Sequence, residues 1–171
     1  MGRGLSRGEL HRELAKVYAQ VPAVDCRGAC WDTCTRFPVS RLENRRLWRE
    51  TGREIEPPGM PPHPPCPLLT NLGQCSAYAI RPLICRVWGS SVLFPCNYGC
   101  VPAGGLLGIQ DTYRLFAQVY DLSGEQEMAE VCAEIAAKPD AELAPLLPSL
   151  KAMAWGKIDY GEALRRTGRA R

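Results

Sequence analysis

Cysteine is the residue type here whose numbers and spacing could do chemistry. Cys26, Cys30 and Cys34 form C-x3-C-x3-C, Cys66, Cys75 and Cys85 form C-x8-C-x9-C, Cys96 and Cys100 form C-x3-C, and Cys132 stands alone. Thiolates are soft ligands that select zinc or iron, and a centre needs its ligands to converge within a few ångströms. Close spacing lets Cys26, Cys30 and Cys34 turn inward without dragging a helix along, and Gly28 eases the turn. The wider trio can reach the same point only if its intervening segments fold back. Cys26, Cys30, Cys34, Cys66, Cys75, Cys85, Cys96 and Cys100 are therefore the candidate metal ligands, enough for two four-ligand sites or for one with spare thiols. Neither the C-x2-C zinc knuckle nor the C-x2-C-x2-C-x3-C-P ferredoxin run is present, so spacing leaves zinc and iron–sulfur both open. Cys132, between Val131 and Ile135 on a helical face, reads instead as a small buried hydrophobe.

Other chemistries have little to stand on. There are two histidines. His11 falls at a polar helix position and reads as exposed, while His63 lies close enough to Cys66 in sequence to complete a Cys3His set. Glu43, Glu50, Glu54 and Glu56 show no paired-carboxylate pattern, and neither G-x-G-x-x-G nor a P-loop occurs. No catalytic residue is assigned.

The elements that must position the cysteines fit one small, mainly α domain. The 171 residues, 46% hydrophobic and 23% charged, match a single globular unit. Residues 1–22 read as an N-terminal helix: Ser6 and Glu9 make a capping box, Leu10, Leu14, Val17 and Val21 share a face, and Pro22 closes it. Residues 23–108 read as an irregular cysteine-rich core stapled by metal. Within it, Ser40 and Glu43 open a helix to about Thr51, with Leu42, Leu47 and Trp48 as its apolar face and Gly52 as its stop. Seven of the eleven residues from Pro57 to Pro67 are proline, a stiff connector that can be neither helix nor central strand. Ser76 to Ile80 read as one helical turn before Pro82. Residues 109–171 read as helical, with Asp111 capping one helix, a Ser123–Gln126 capping box opening the next, and a last stretch over about 150–166.

The segment CPLLTNLGQCSAYAIRPLICRVWG, Cys66 to Gly89, resembles the YkgJ-type cysteine-cluster family. The resemblance is carried by Cys66, Pro67, Leu68, Leu69, Cys75, Tyr78, Arg81, Pro82, Cys85 and Arg86. It implies a zinc- or iron-chelating protein. Upstream the chain departs from the family's C-x2-C-G-x-C-C block, having no adjacent cysteine pair, and Cys96 and Cys100 extend the set instead. Arg81 and Arg86 flank Cys85, where an arginine would offset the negative charge of a thiolate centre and donate hydrogen bonds to sulfur. Relatives of the flagellin lysine methylase type make an iron–sulfur redox or protein-modifying enzyme the alternative to a structural centre.

Charge says less. The formal net charge is +3, and ionised thiolates would reverse its sign. Arginines concentrate in Arg41–Arg53 and after Arg165, acids in Asp121–Glu142. These runs suit solvated helix faces or contact with a protein partner or larger assembly. No basic stripe interleaved with aromatics argues for nucleic acid. The N-terminal residues lack the apolar core of a secretory signal, and no window is apolar enough to span a membrane. Many cysteines without an export signal favour a reducing compartment, cytoplasmic or within an intracellularly assembled complex.

Overall fold

The computed structural model describes residues 5–26, 31, 34–56 and 65–154. The chain is mainly helical, and among the described residues extended pairing is confined to isolated bridges. Helix α1 (Arg7–Tyr18) starts at the Ser6–Glu9 capping box. It stops short of Val21 because the residue before Pro22 is pushed out of the α region. Two tight turns finish it, Gln20 N–H to Val17 O (3.1 Å) and Val21 N–H to Tyr18 O (3.2 Å). Leu14, Val17 and Tyr18 are buried. His11, expected to be exposed, is partly buried, and the charges of Arg46, Arg49 and Arg7 lie near it.

Helix α2 (Arg41–Thr51) has the expected Ser40–Glu43 box and ends at Gly52, whose φ of 69° suits a residue without Cβ. Its start is also capped from elsewhere. The Arg41 N–H donates to Glu125 Oε2 (2.8 Å) and the Leu42 N–H to Ser123 Oγ (3.0 Å). Three N-terminal amides thus find acceptors that no intrahelical carbonyl can supply. Leu42 and Leu47 are buried, whereas Trp48 is 59% exposed and does not join the apolar face.

After the 3-10 turn Tyr78–Ile80, helix α3 (Leu83–Val87) begins directly behind Pro82. Proline suits that place, since its missing N–H is one the helix could not have used. Helices α4 (Ile109–Ser123) and α5 (Gln126–Ala136) form a hairpin closed by Gly124 at φ 72°. The cap of α4 is Gly108, with Asp111 inside the first turn, and the expected Ser123–Gln126 box does not form. Ser123 ends α4 and is bound to Glu125, so the pair serves α2 instead. Short α6 (Asp140–Leu143), a 3-10 turn (Ala144–Leu146) and α7 (Leu147–Ala154) complete the described chain. The expected extension of this last helix toward 166 lies outside the described residues, as does 57–64 of the proline run.

The main core joins α1, α3 and the α4–α5 hairpin through Leu14, Val17, Leu83, Val87, Tyr113 and Val119. Complete burial of such a side chain contributes about 1.5–3 kcal/mol. Cys132 lies in this core, as its helical position predicts. A smaller cluster of Leu47, Ile55, Leu68 and Ala77 sits under Cys66 and Cys75. Among the described residues no helix is long and apolar enough to cross a membrane.

Candidate metal centre

Three short-range devices bring four cysteines together. Thr35 and Pro65 form an antiparallel bridge, and the Cys66 N–H donates to Cys34 O (3.0 Å), placing two cysteines far apart in sequence side by side. A second bridge, Leu69 with Cys75, closes the turn at 70–74. That turn is held by Thr70 N–H to Gln74 O (2.8 Å) and Ser76 N–H to Leu68 O (2.8 Å). Gly73 sits in it at φ 72°, and a Cβ there would come within 2.9 Å of the Trp31 ring. Both the backbone and the covering indole therefore require glycine. Finally, Pro82 and α3 present Cys85 to the same space.

The space is a cavity of about 410 Å³ onto which Cys26, Cys34, Cys66, Cys75 and Cys85 all open. Its other walls are largely apolar, among them Trp31, Phe37, Ile55, Leu68 and Trp88. Trp88 is wedged between Phe37 (5.3 Å between ring centres) and Phe94 (5.6 Å). Asn44 secures Ile55 by accepting its N–H (2.8 Å) and donating to its carbonyl (3.1 Å).

Electrostatics mark these thiols as neighbours. Burial, then the charges of Cys66, Cys34, Cys75 and Glu43, push the Cys85 thiol far above the ordinary range. Burial likewise pushes Cys66 up; the backbone N–H groups of Leu68 and Leu69 and the Arg36 charge work the other way, and Cys75 adds to the rise. Left protonated, such a cluster is stable. Ionised together, the thiolates need a cation among them. Two arginine donors nearby have no acceptor: Arg36 Nε and Arg81 Nε are buried without a hydrogen-bond partner. Arg36 is close enough to Cys66 to act on its charge, and Arg81 lines the cavity. A sulfur-rich anionic group would give both an acceptor. In chemistry and in charge, the donor set fits a thiolate-held metal group.

The expected ligands thus divide. Cys34, Cys66, Cys75 and Cys85 share the cavity, where the charges of the first three act on Cys85, and Cys26 also lines it. Cys30 and His63 lie outside the described residues. Cys96 and Cys100 are not on the cavity wall; they lie on a separate turn closed by the Gly99 N–H to Cys96 O hydrogen bond (3.2 Å). Cys66, Cys75, Cys85, Cys96, Cys100 and Cys132 carry thiols not joined in disulfides. Among the described residues, no group of three or more His, Cys, Asp or Glu side chains is drawn together as a ready-made site for one metal ion. Arg86 bonds to backbone carbonyls. Its Nε donates to Arg81 O (2.8 Å), its Nη2 to Ala79 O (2.9 Å), and its guanidinium covers the Tyr18 ring at 4.1 Å.

Sequence reasoning missed Glu43 as a structural hub. It is 4% exposed, and its Oε1 accepts from the Tyr18 hydroxyl (2.8 Å) and the Leu83 N–H (2.6 Å). Its Oε2 accepts from Ser40 Oγ (2.9 Å). One carboxylate so fastens α1 and α2 to the start of the helix that carries Cys85. The capping-box pattern located Glu43, but nothing local could show its two distant donors. Comparison of the chain with protein-family models, curated proteins and solved structures returns no match.

Proposed function

We propose that this chain is a cysteine-cluster metal-binding protein whose centre, held by Cys34, Cys66, Cys75 and Cys85, is an iron–sulfur cluster with a mainly structural role. The observation that carries the proposal is that thiols from distant parts of the chain, Cys34, Cys66, Cys75 and Cys85, open onto one cavity and act on one another's charge. A lone zinc ion, with Zn–S bonds of about 2.3 Å in a tetrahedron, draws its sulfurs to roughly 3.8 Å from one another. A cluster interposes its own atoms, and so suits thiols that line a cavity of about 410 Å³. The resemblance of Cys66–Gly89 to the YkgJ-type family favours metal chelation, by zinc or iron, independently of the geometry.

Such a centre would couple metal binding to folding. The connections around the cavity are turns and single bridges, while the unfolded chain has no preformed site. The exposed apolar side chains Leu72 (84% exposed), Trp48 and Val101 suit contact with a protein partner or a larger assembly. Thiolate ligation suits a reducing compartment, cytoplasmic or within an intracellularly assembled complex. A redox or protein-modifying enzyme is the second reading, favoured by one feature. The cavity falls in the roughly 300–1,000 Å³ range of small-molecule sites and is walled by aromatic side chains.

Serine substitutions test the ligand set. Each of C34S, C66S, C75S and C85S, prepared anaerobically, should lose most bound iron and inorganic sulfide, whereas C132S should retain them. Full retention of metal by C66S and C85S would overturn the proposal.

A further inference from the structure

The residues Pro95 to Pro102 carry the C-x3-C pair that the cavity leaves unused. Cys96 is anchored against Gly89, where a Cβ would touch Cys96 Cβ at 3.6 Å. From there the chain turns sharply. The Gly99 N–H donates to Cys96 O (3.2 Å), and Gly99, at φ 76°, returns Cys100 toward Cys96. The Tyr98 N–H donates to Cys96 Sγ (3.4 Å). An N–H donor held on that sulfur by the turn favours its thiolate, the nucleophilic form. Both residues are partly exposed, and the neighbouring Tyr98 (47%) and Val101 (56%) give an incoming molecule an apolar surface beside the sulfurs.

We infer that Cys96 and Cys100 form a dithiol–disulfide exchange site, separate from the metal-binding cavity, with Cys96 as the attacking sulfur and Cys100 as the resolving one. The co-reactant is a disulfide, low-molecular-weight or on a protein. The Cys96 thiolate attacks one of its sulfurs; the co-reactant's S–S bond breaks and one of its thiolates leaves. The Cys100 thiol gives up its proton to solvent, and its sulfur attacks Cys96 Sγ. The mixed disulfide breaks, and the second thiolate leaves and takes up a proton. The pair loses two electrons as it closes to a disulfide, and the co-reactant gains them as two thiols. An exposed nucleophilic cysteine beside a resolving cysteine is the arrangement in which reversible thiol oxidation is selective.

The test uses the full chain, anaerobically prepared, in glutathione redox buffers, with acid quench, alkylation and peptide mass spectrometry. The expected first product is a Cys96–Cys100 disulfide, formed while bound iron is unchanged. C100S should stop at a mixed disulfide between Cys96 and glutathione. C96S should slow any oxidation at Cys100 by at least about tenfold. Both substitutions are at partly exposed positions, and circular dichroism checks that each variant folds. The inference is overturned if Cys66, Cys75 or Cys132 oxidises before Cys96. It is equally overturned if C96S or C100S loses metal that the unsubstituted protein holds, since the pair would then be ligands. Because metal content is read in the same samples, failure of exchange is distinguishable from absence of the cluster.

Discussion

Arg81 shows how one side chain can serve two ends of a site. Its guanidinium lies 4.0 Å over the Tyr78 ring, while its Nε is buried at the cavity without an acceptor. A metal-bound sulfur would complete that hydrogen bond. Arg81→Met keeps the apolar stem and removes the donor, and should weaken metal retention by about 10–100-fold in a chelator competition, the usual effect of losing a supporting hydrogen bond. Unchanged retention would make Arg81 a packing residue only. A second residue-scale expectation concerns Cys132, Tyr113 and Tyr120, which lie outside the cavity lining. Burial pushes Cys132 up to about 12 and raises both tyrosines. The unfolded chain ionises these groups first as pH rises. Their contribution is therefore complete below the ordinary thiol value of about 8.5 and falls toward 12, by about 1.4 kcal/mol per pH unit for each group fully ionised only in the unfolded state. Urea titrations at rising alkaline pH should show this loss, and C132A should lessen it.

At the scale of elements, Glu43 is the fastening with most at stake. Four donors from three parts of the chain meet on its carboxylate: Tyr18 Oη, Leu83 N, and the N–H and Oγ of Ser40. Glu43→Gln keeps the shape but replaces one acceptor oxygen with a donor. It should cost about 2–4 kcal/mol in denaturant unfolding, since hydrogen bonds to charged groups contribute about 1.5–3 kcal/mol each. A change below a few tenths would mean that the carboxylate is dispensable. The helices themselves were largely readable in the sequence. Both Ser-to-Glu capping boxes form, and the stripe of Leu14 and Val17 faces the core. The Ser123–Gln126 box misled because Gly124 lies between two helices and takes the left-handed conformation, ending α4 where local pattern suggested a start. Helix α3 escaped notice because five residues are too few to show a period. Trp48 follows Leu47, and one residue of helix rotates it about 100° off the buried face.

For the whole molecule, cysteine spacing marked eight candidates but could not say which of them share one cavity. Cys34 and Cys66 become neighbours through a backbone bridge across the proline run, a pairing that no sequence period encodes. The wide C-x8-C interval, by contrast, was readable as a fold-back, and the Leu69–Cys75 bridge makes it. The helical core has its own buried apolar cluster, whereas the cysteine side rests on a small one, Leu47, Ile55, Leu68 and Ala77, with turns between. Metal should accordingly matter most on that side. The decisive measurement is quantification of metal and inorganic sulfide, with an absorption spectrum, on anaerobically prepared full-length protein. The account predicts a brown protein with bound iron and sulfide and broad absorption at about 400 nm. A fully folded protein with neither iron nor sulfide, its Cys34, Cys66, Cys75 and Cys85 thiols all open to alkylation, would contradict it.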